Sequence, residues 1–353
     1  MASFARTPAF RLVQDGTPID PSRYTKSARL GGQTVAGVGD PGKVWQLFEA
    51  GATIVLQGLQ RYWPPLARFC RDLELALTYP IQANAYVTPA GAQGLAVHYD
   101  THDVFVLQAA GGKEWSVFPP VFAAPLDSQP WADRRTSETG APCLEASLQA
   151  GDSLYVPRGF LHSARAQTGL SAHLTIGVLA QTRHDVVEAV VAAAAGEAGF
   201  RTALPPGFAH DEAAFAKEVA ATVGDLRRWL DTVDAEAVAA SVARRFWSTR
   251  GALHHGHLEQ ILAAPAIGDA TVLRRRPGAV CHLHAYAGGG QVVALLGDRT
   301  LRMPAALEPA LRRIAAGEPF PLAALSDLLD AGSRLVLARR LVREGLLEVV
   351  VLD

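Results

Sequence analysis

The stretch Gly94-Leu95-Ala96-Val97-His98-Tyr99-Asp100 decides the architecture when it is read with Ala150-Gly151-Asp152-Ser153-Leu154-Tyr155-Val156-Pro157-Arg158-Gly159-Phe160-Leu161-His162. In the second stretch a Gly-Asp turn feeds an apolar run, a Pro-Arg-Gly turn follows, and His162 begins the next strand. Around these two pieces, short β-rich runs alternate with turn residues: Ala83–Thr88, Gly94–Tyr99, Val104–Ala109, Glu114–Phe118, Cys143–Leu148, Ser153–Val156 and Ser171–Val178. Such spacing predicts an all-β barrel or double-sheet jelly roll.

Working outward, residues 1 to about 40 are polar and punctuated by Gly and Pro, with little periodicity. Trp45–Ala50 reads as a short helix and Ala52–Leu56 as a strand. Tyr62–Leu77 has helical spacing (Leu66, Phe69, Cys70, Leu73, Leu77) behind Pro64-Pro65. After Thr182 the pattern turns helical, over Asp185–Ala195, Asp211–Val223, Leu226–Val233 and Ala235–Phe246. From Leu253 onward it is mixed. Helices are expected at Leu258–Leu262, Leu307–Ala316, Leu322–Leu329 and Arg334–Glu344, and strands at Ala270–Arg274, Val280–Ala285, Gln291–Leu295 and Leu346–Leu352.

The 353 residues are 49% hydrophobic and 19% charged, enough for a sizeable core and for more than one domain. A net charge of -1 predicts no global attraction to nucleic acid or to an anionic membrane. Cys70, Cys143 and Cys281 are far apart and odd in number, which argues against a disulfide framework and a cysteine zinc site. No signal peptide or membrane span is read, so a cytoplasmic protein is expected.

His98 and Asp100 stand two apart on an expected strand, so both side chains face one way. His102 and Asp103 follow and read as part of the same surface loop. A barrel brings distant residues to one interior, where His162 can join the pair. Two histidines and one carboxylate on one face of a metal, with positions left open for an organic co-substrate and O2, is the donor set of non-haem iron(II) oxygenases. Zinc fits the same ligands but has no redox chemistry. Either motif alone reads as an ordinary satisfied or exposed histidine.

The run from His98 through Lys113-Glu114-Trp115-Ser116-Val117-Phe118 resembles the first half of a JmjC domain, and most of all the ribosomal oxygenases, the JmjC hydroxylases of ribosomal proteins. The resemblance implies a double-stranded β-helix (jelly-roll, cupin) barrel, then a helical region that dimerises, then a winged-helix-like α+β domain, here at residues 1–182, 183–252 and 253–353. It implies iron(II) on His98, Asp100 and His162, with 2-oxoglutarate and O2 as co-substrates. It also implies a basic residue, Lys113, against the distal carboxylate of 2-oxoglutarate. On its own, Lys113 after Gly111-Gly112 reads as a solvated hairpin lysine. Asn84, His173 and Thr175 match pocket positions that orient 2-oxoglutarate, and each can equally be a satisfied interior group. The implied reaction is hydroxylation of a protein side chain with release of succinate and CO2.

Two features remain. The connection from Val121 to Cys143 carries Asp127, Trp131, Asp133, Arg134 and Arg135; it reads either as a border of the substrate channel or as a surface insertion. From residue 255 to the end there are 11 Arg, no Lys and 10 Asp plus Glu, too balanced for a nucleic-acid reader. Arg339, Arg340 and Arg343 nevertheless share a helix, and Arg274–Arg276 precede a Pro-Gly turn. A protein substrate and a homodimer are expected. The alternatives are the same chemistry on a small molecule, a peptide natural product or a tRNA base, histone demethylation, or a non-enzymatic cupin-like binding or regulatory protein.

Overall fold

The computed structural model describes residues 6–131, 139–285 and 289–350. The chain divides into two compact units, Met1–Ala180 and Gln181–Asp353. Among the described residues no helix is long and apolar enough to cross a membrane.

In the first unit, β1 (Phe10–Gln14), β2 (Thr17–Pro18), the hairpin β3 (Thr25–Leu30) and β4 (Gln33–Gly39), α1 (Pro41–Glu49), β5 (Thr53–Leu56) and α2 (Pro64–Leu77) precede the barrel proper. That consists of β6 (Ile81–Thr88), β7 (Asp103–Ala110), β8 (Lys113–Pro120), β9 (Leu144–Leu148), β10 (Ser153–Val156), β11 (Phe160–Ala166) and β12 (Ser171–Val178). One sheet has the order β10-β7-β12-β6-β5-β1-β2 and a second β11-β8-β9, with every pairing antiparallel.

Alternation explains how the larger sheet is used. On β6, Ile81 and Ala83 lie with Ile176 and Val178 of β12 in one apolar cluster beneath Leu66 and Cys70 of α2. Each such buried aliphatic side chain contributes about 1.5–3 kcal/mol. Side chains two apart share a face, so Gln82, Asn84 and Tyr86 of β6 and His173 and Thr175 of β12 turn to the opposite side, where they line a cavity. This face is built in cross-strand rows. Arg11, Val55, Tyr86, His173 and Gln108 are successive partners, and Asn84, Thr175 and Val106 form the row beside them.

Three expectations for this unit are corrected. The opening residues hold strands, because Phe10 and Leu12 alternate with Arg11 and pack with Tyr24, Val44 and Ile54. Gly94–Tyr99 is not a regular strand: Gly94 accepts from Gly16, Gln93 bridges to Arg165 and His98 to His162, so no single partner offers a continuous ladder. The strand expected to begin at His162 begins two residues earlier, as β11, with a bulge between Phe160 and Leu161.

The second unit begins with α3 (Arg183–Ala193), α4 (Glu212–Leu230) and α5 (Ala235–Ser248). A Thr182–Asp185 capping box starts α3. Two helices expected over 211–233 are one, because a lone Gly224 costs about 1 kcal/mol, less than a new helix nucleus. There follow α6 (His257–Ala263), β13 (Val272–Arg275), β14 (His282–Ala285), β15 (Gln291–Leu295), β16 (Thr300–Pro304), α7 (Glu308–Ala315), β17 (Phe320–Pro321), α8 (Ala331–Arg343) and β18 (Leu347–Val349). They form the sheets β17-β13-β18 and β14-β15-β16 around an apolar core that includes Leu273, Val292, Leu311, Ile314, Leu322 and Leu341. The helix expected over Leu322–Leu329 is only a 3-10 turn at Leu322–Leu325, since the Leu322 and Ala323 N–H groups donate to Thr271 and Asp269.

Candidate active site

His98 and His162 face each other across one backbone bridge, in which each N–H donates to the other's carbonyl, at 3.2 and 2.8 Å. The ring centroids are 4.4 Å apart. Each Nδ1 lies beside a carbonyl two residues back, Ala96 O at 2.8 Å and Phe160 O at 3.1 Å. A carbonyl only accepts, so each Nδ1 must donate, and the lone pair falls on Nε2. Both Nε2 atoms turn to Asp100, at 3.9 Å for His98 and 3.7 Å for His162. The three ligand atoms lie within 4.8 Å of one another. The Asp100 carbonyl accepts from Gly159 N at 3.0 Å. Gly159 has φ +86°, and a Cβ there would stand 2.4 Å from the Phe122 carbonyl, so the Pro157-Arg158-Gly159 turn admits no side chain at its end.

The cluster opens on a cavity of about 230 Å³. Lys113, the first residue of β8, points into it and is 2% exposed, which excludes the solvated hairpin lysine. Its Nζ donates to Thr88 Oγ1 at 3.1 Å and lies 3.4 Å from His173 Nδ1. Among the described residues it has no carboxylate partner. Burial pushes this lysine down to about 8. His173 stacks on Tyr86 with ring centroids 4.9 Å apart. Burial, then the Lys113 charge, keep His173 neutral, well below the usual histidine range. Asn84 Oδ1 accepts from Gly58 N at 3.0 Å, which leaves its amide N–H groups for the cavity, and Thr175 lines the same wall.

Burial and neighbouring charge act on two of the cluster residues, Asp100 and His162. Burial raises the Asp100 carboxyl, but the imidazoles of His162 and His98 outweigh it and hold the group below the carboxylate range. Burial, then the neighbouring His98, push His162 down to about 4, so its Nε2 is a free base near neutrality. A carboxylate and two imidazole nitrogens are what a divalent cation requires, and this donor set fits iron(II). The surroundings fit an anionic co-substrate. Lys113 is a buried cation without a counter-charge, and Trp115 Nε1, on the same strand, is buried with no hydrogen-bond partner among the described residues.

Sequence reasoning missed Arg11, Tyr86 and Trp115, which all line this cavity. The apolar/polar alternation of Ile81–Thr88 was the available signal for Tyr86. His102, read as loop surface, also lines the cavity, with Nε2 2.9 Å from Gln82 Nε2. Asp103 starts β7, and its Oδ1 accepts from Arg158 N at 3.0 Å. Of the long connection, Asp133, Arg134 and Arg135 lie outside the described residues.

Residues 57–186 match the family model of the JmjC domain. Ribosomal oxygenase 1 of Homo sapiens is 34% identical over 208 residues, 56% of this chain and 32% of that protein. The bifunctional lysine-specific demethylase and histidyl-hydroxylase NO66 of Dictyostelium discoideum is 37% identical over 138 residues, 38% of this chain and 27% of that protein. The chain thus spans about a third of the length of the curated relatives it matches. The structure of the Escherichia coli ribosomal oxygenase YcfD in complex with cobalt and 2-oxoglutarate superposes with a TM-score of 0.51 at 17% identity, over 96% of this chain and 94% of that one. At such identity the likeness is one of fold. The chain therefore carries a JmjC domain on a β barrel and resembles the ribosomal oxygenases.

Proposed function

We propose that this protein is an iron(II)- and 2-oxoglutarate-dependent oxygenase that hydroxylates a side chain of a ribosomal protein and releases succinate and CO2. The observation that carries the reading is the pairing, in one cavity, of a convergent His98–Asp100–His162 donor set with a buried, uncompensated Lys113. His98, Asp100 and His162 would hold the iron. Lys113 would meet the distal carboxylate of 2-oxoglutarate, an ion pair strengthened by its burial. Asn84, His173 and Thr175 would orient the co-substrate, His173 by keeping the Lys113 ammonium in place. Bound iron(II) supplies the redox chemistry with O2 that no side chain offers. The binding of cobalt and 2-oxoglutarate by YcfD, and the names of the ribosomal oxygenase relatives, support this reading.

The remainder of the chain is read as a helical dimerisation region at 183–252 and a winged-helix-like domain at 253–353, after a catalytic barrel at 1–182, in a cytoplasmic homodimer. Exposed Val187 and Val191 on α3 suit a subunit contact. Direct nucleic-acid binding is not part of the reading. Arg339 donates to the Pro265 and Ile267 carbonyls, Arg340 pairs with Glu344, and Arg274 and Arg276 pair with Glu348.

Succinate formation from 2-oxoglutarate, with iron(II) and air, tests the proposal. Wild type should turn over, His98→Ala should not, and Lys113→Ala should raise the 2-oxoglutarate KM. Mass spectrometry of treated ribosomes should find one added oxygen on a ribosomal protein. Folded wild-type protein that yields no succinate, with ribosomes or without, would leave a cupin-like binding protein. Turnover with oxygen added only to a small molecule or to tRNA would keep the chemistry and replace the substrate.

A further inference from the structure

The cavity holds a second cation that the oxygenase reading leaves without a task. Arg11 sits on β1, directly across from Val55 of β5, and Val55 in turn pairs with Tyr86 of β6. The row therefore carries the guanidinium from the outer strands onto the cavity wall beside Tyr86. Its neighbours Phe10 and Leu12 are buried in the apolar cluster on the opposite face, so strand alternation fixes the direction of Arg11. The Arg11 guanidinium donates a hydrogen bond to the Tyr86 side chain, but its Nε is buried and has no hydrogen-bond partner among the described residues. No carboxylate of a described residue makes a contact ion pair with Arg11, although its charge reaches Asp100 across the same cavity. An orphaned donor of this kind is costly unless something bound satisfies it.

Charge accounting narrows what that bound group is. On the oxygenase reading, the two charges of iron(II) are offset by Asp100 and one carboxylate of 2-oxoglutarate, and Lys113 is offset by the other carboxylate. Among the described residues lining the cavity, Arg11 is the positive charge left over. We propose that Arg11 is a specificity-determining residue of the prime-substrate pocket. Its Nε–H donates to an acceptor on an uncharged substrate side chain, such as the lone pair of a neutral imidazole or the oxygen of a carboxamide, and its charge excludes arginine, lysine and methylated lysine. The relatives named for both histidyl hydroxylation and lysine demethylation make the distinction concrete, because those two substrate side chains differ in charge. A second cation brought into a partly dehydrated pocket meets Arg11 at an effective dielectric far below that of water, where like charges repel strongly at contact distance. A neutral acceptor gains a charge-assisted hydrogen bond instead.

This inference rests on the oxygenase reading, and its test separates the two. Four fluorescein-labelled peptide pools, identical but for a central His, Gln, Arg or dimethyl-Lys, are titrated by anisotropy against full-length protein holding cobalt(II) and 2-oxoglutarate without oxygen. Binding of 2-oxoglutarate is measured separately by calorimetry. Wild type should bind the His or Gln pool at least tenfold more tightly than the Arg and dimethyl-Lys pools. Arg11→Gln should shrink that ratio below threefold, Arg11→Glu should reverse it, and Arg11→Lys, which keeps the charge, should preserve the rejection of cations. A merely structural Arg11 would weaken all pools alike and could not reverse their order. If wild type shows no preference, binds no pool, or prefers the cationic pools while still binding 2-oxoglutarate, the role of Arg11 is overturned and the oxygenase reading stands. If wild type binds no 2-oxoglutarate, both fall. Should Arg11→Glu fail to fold by circular dichroism, Arg11→Gln and Arg11→Lys decide alone.

Discussion

Two buried cations, one in each unit, are treated in opposite ways. In the second unit Arg334 is 7% exposed, and its Nε and NH2 donate to Asp269 at 3.2 and 2.7 Å while NH1 donates to the Leu329 carbonyl. In the first unit Lys113 is buried still more deeply, yet its partners are a hydroxyl and a neutral imidazole. The arginine is held by its own fold, and the lysine is held ready for something else. A buried charge that the chain itself neutralises belongs to stability, whereas one left open marks a place where the molecule expects a counter-ion.

The largest test of this contrast is removal of the metal cluster. His162→Ala should lower succinate formation by three orders of magnitude or more, about 4 kcal/mol in barrier, and abolish cobalt(II) binding followed by absorbance. The same substitution should change the urea midpoint little, because the site is not what holds the barrel. Lys113→Met sharpens the comparison. It should stabilise the ligand-free protein by up to ~3 kcal/mol, the cost implied by a lysine pushed from 10.5 to about 8, while 2-oxoglutarate affinity collapses in calorimetry. Loss of stability in Lys113→Met would mean that the lysine already has its counter-charge. Asp269→Ala should do the reverse, costing about 2 kcal/mol in urea unfolding with 2-oxoglutarate binding intact; the half exposure of Asp269 keeps this below the figure for a fully buried pair.

A smaller effect follows from pH. Lys113 binds its proton less tightly folded than unfolded, so between about 8 and 10.5 the unfolded chain carries more protons, and stability of the ligand-free protein should rise across that window. Affinity for 2-oxoglutarate should fall over the same range, by at most tenfold per pH unit, and Lys113→Met should flatten both profiles. Smallest, Thr88→Val removes one neutral partner of Lys113 and should weaken 2-oxoglutarate binding by about 1 kcal/mol.

How much of this could be read in advance depended on sequence range. The convergence of His98, Asp100 and His162 was legible in part, because His162 follows a recognisable strand and turn, although the pair His98 and Asp100 does not lie on the regular strand expected for it. The inward direction of Lys113 was not legible from the residue itself, since Gly111-Gly112-Lys113 is also the sequence of a wet hairpin. Its burial is decided by strand pairing with Leu148 and Ala166, far along the chain. Arg11 was invisible for the same reason: nothing local tells that an arginine between Phe10 and Leu12 will face a cavity completed by β5, β6 and β12. The single helix over 212–230 and the 3-10 turn at 322–325 escaped because their extent is set by capping and cross-strand hydrogen bonds rather than by periodicity.

The rows that floor the cavity also carry a consequence in time. One row joins Arg11 to His173 through strands that are neighbours in space and distant in sequence. Pairings of that range close slowly, because the loop entropy is spent before any contact repays it. During synthesis the cavity lacks its His173 and Thr175 wall until β12 has emerged and zipped between β6 and β7. The pocket around Lys113 is therefore complete only when the last strand of the barrel is in place.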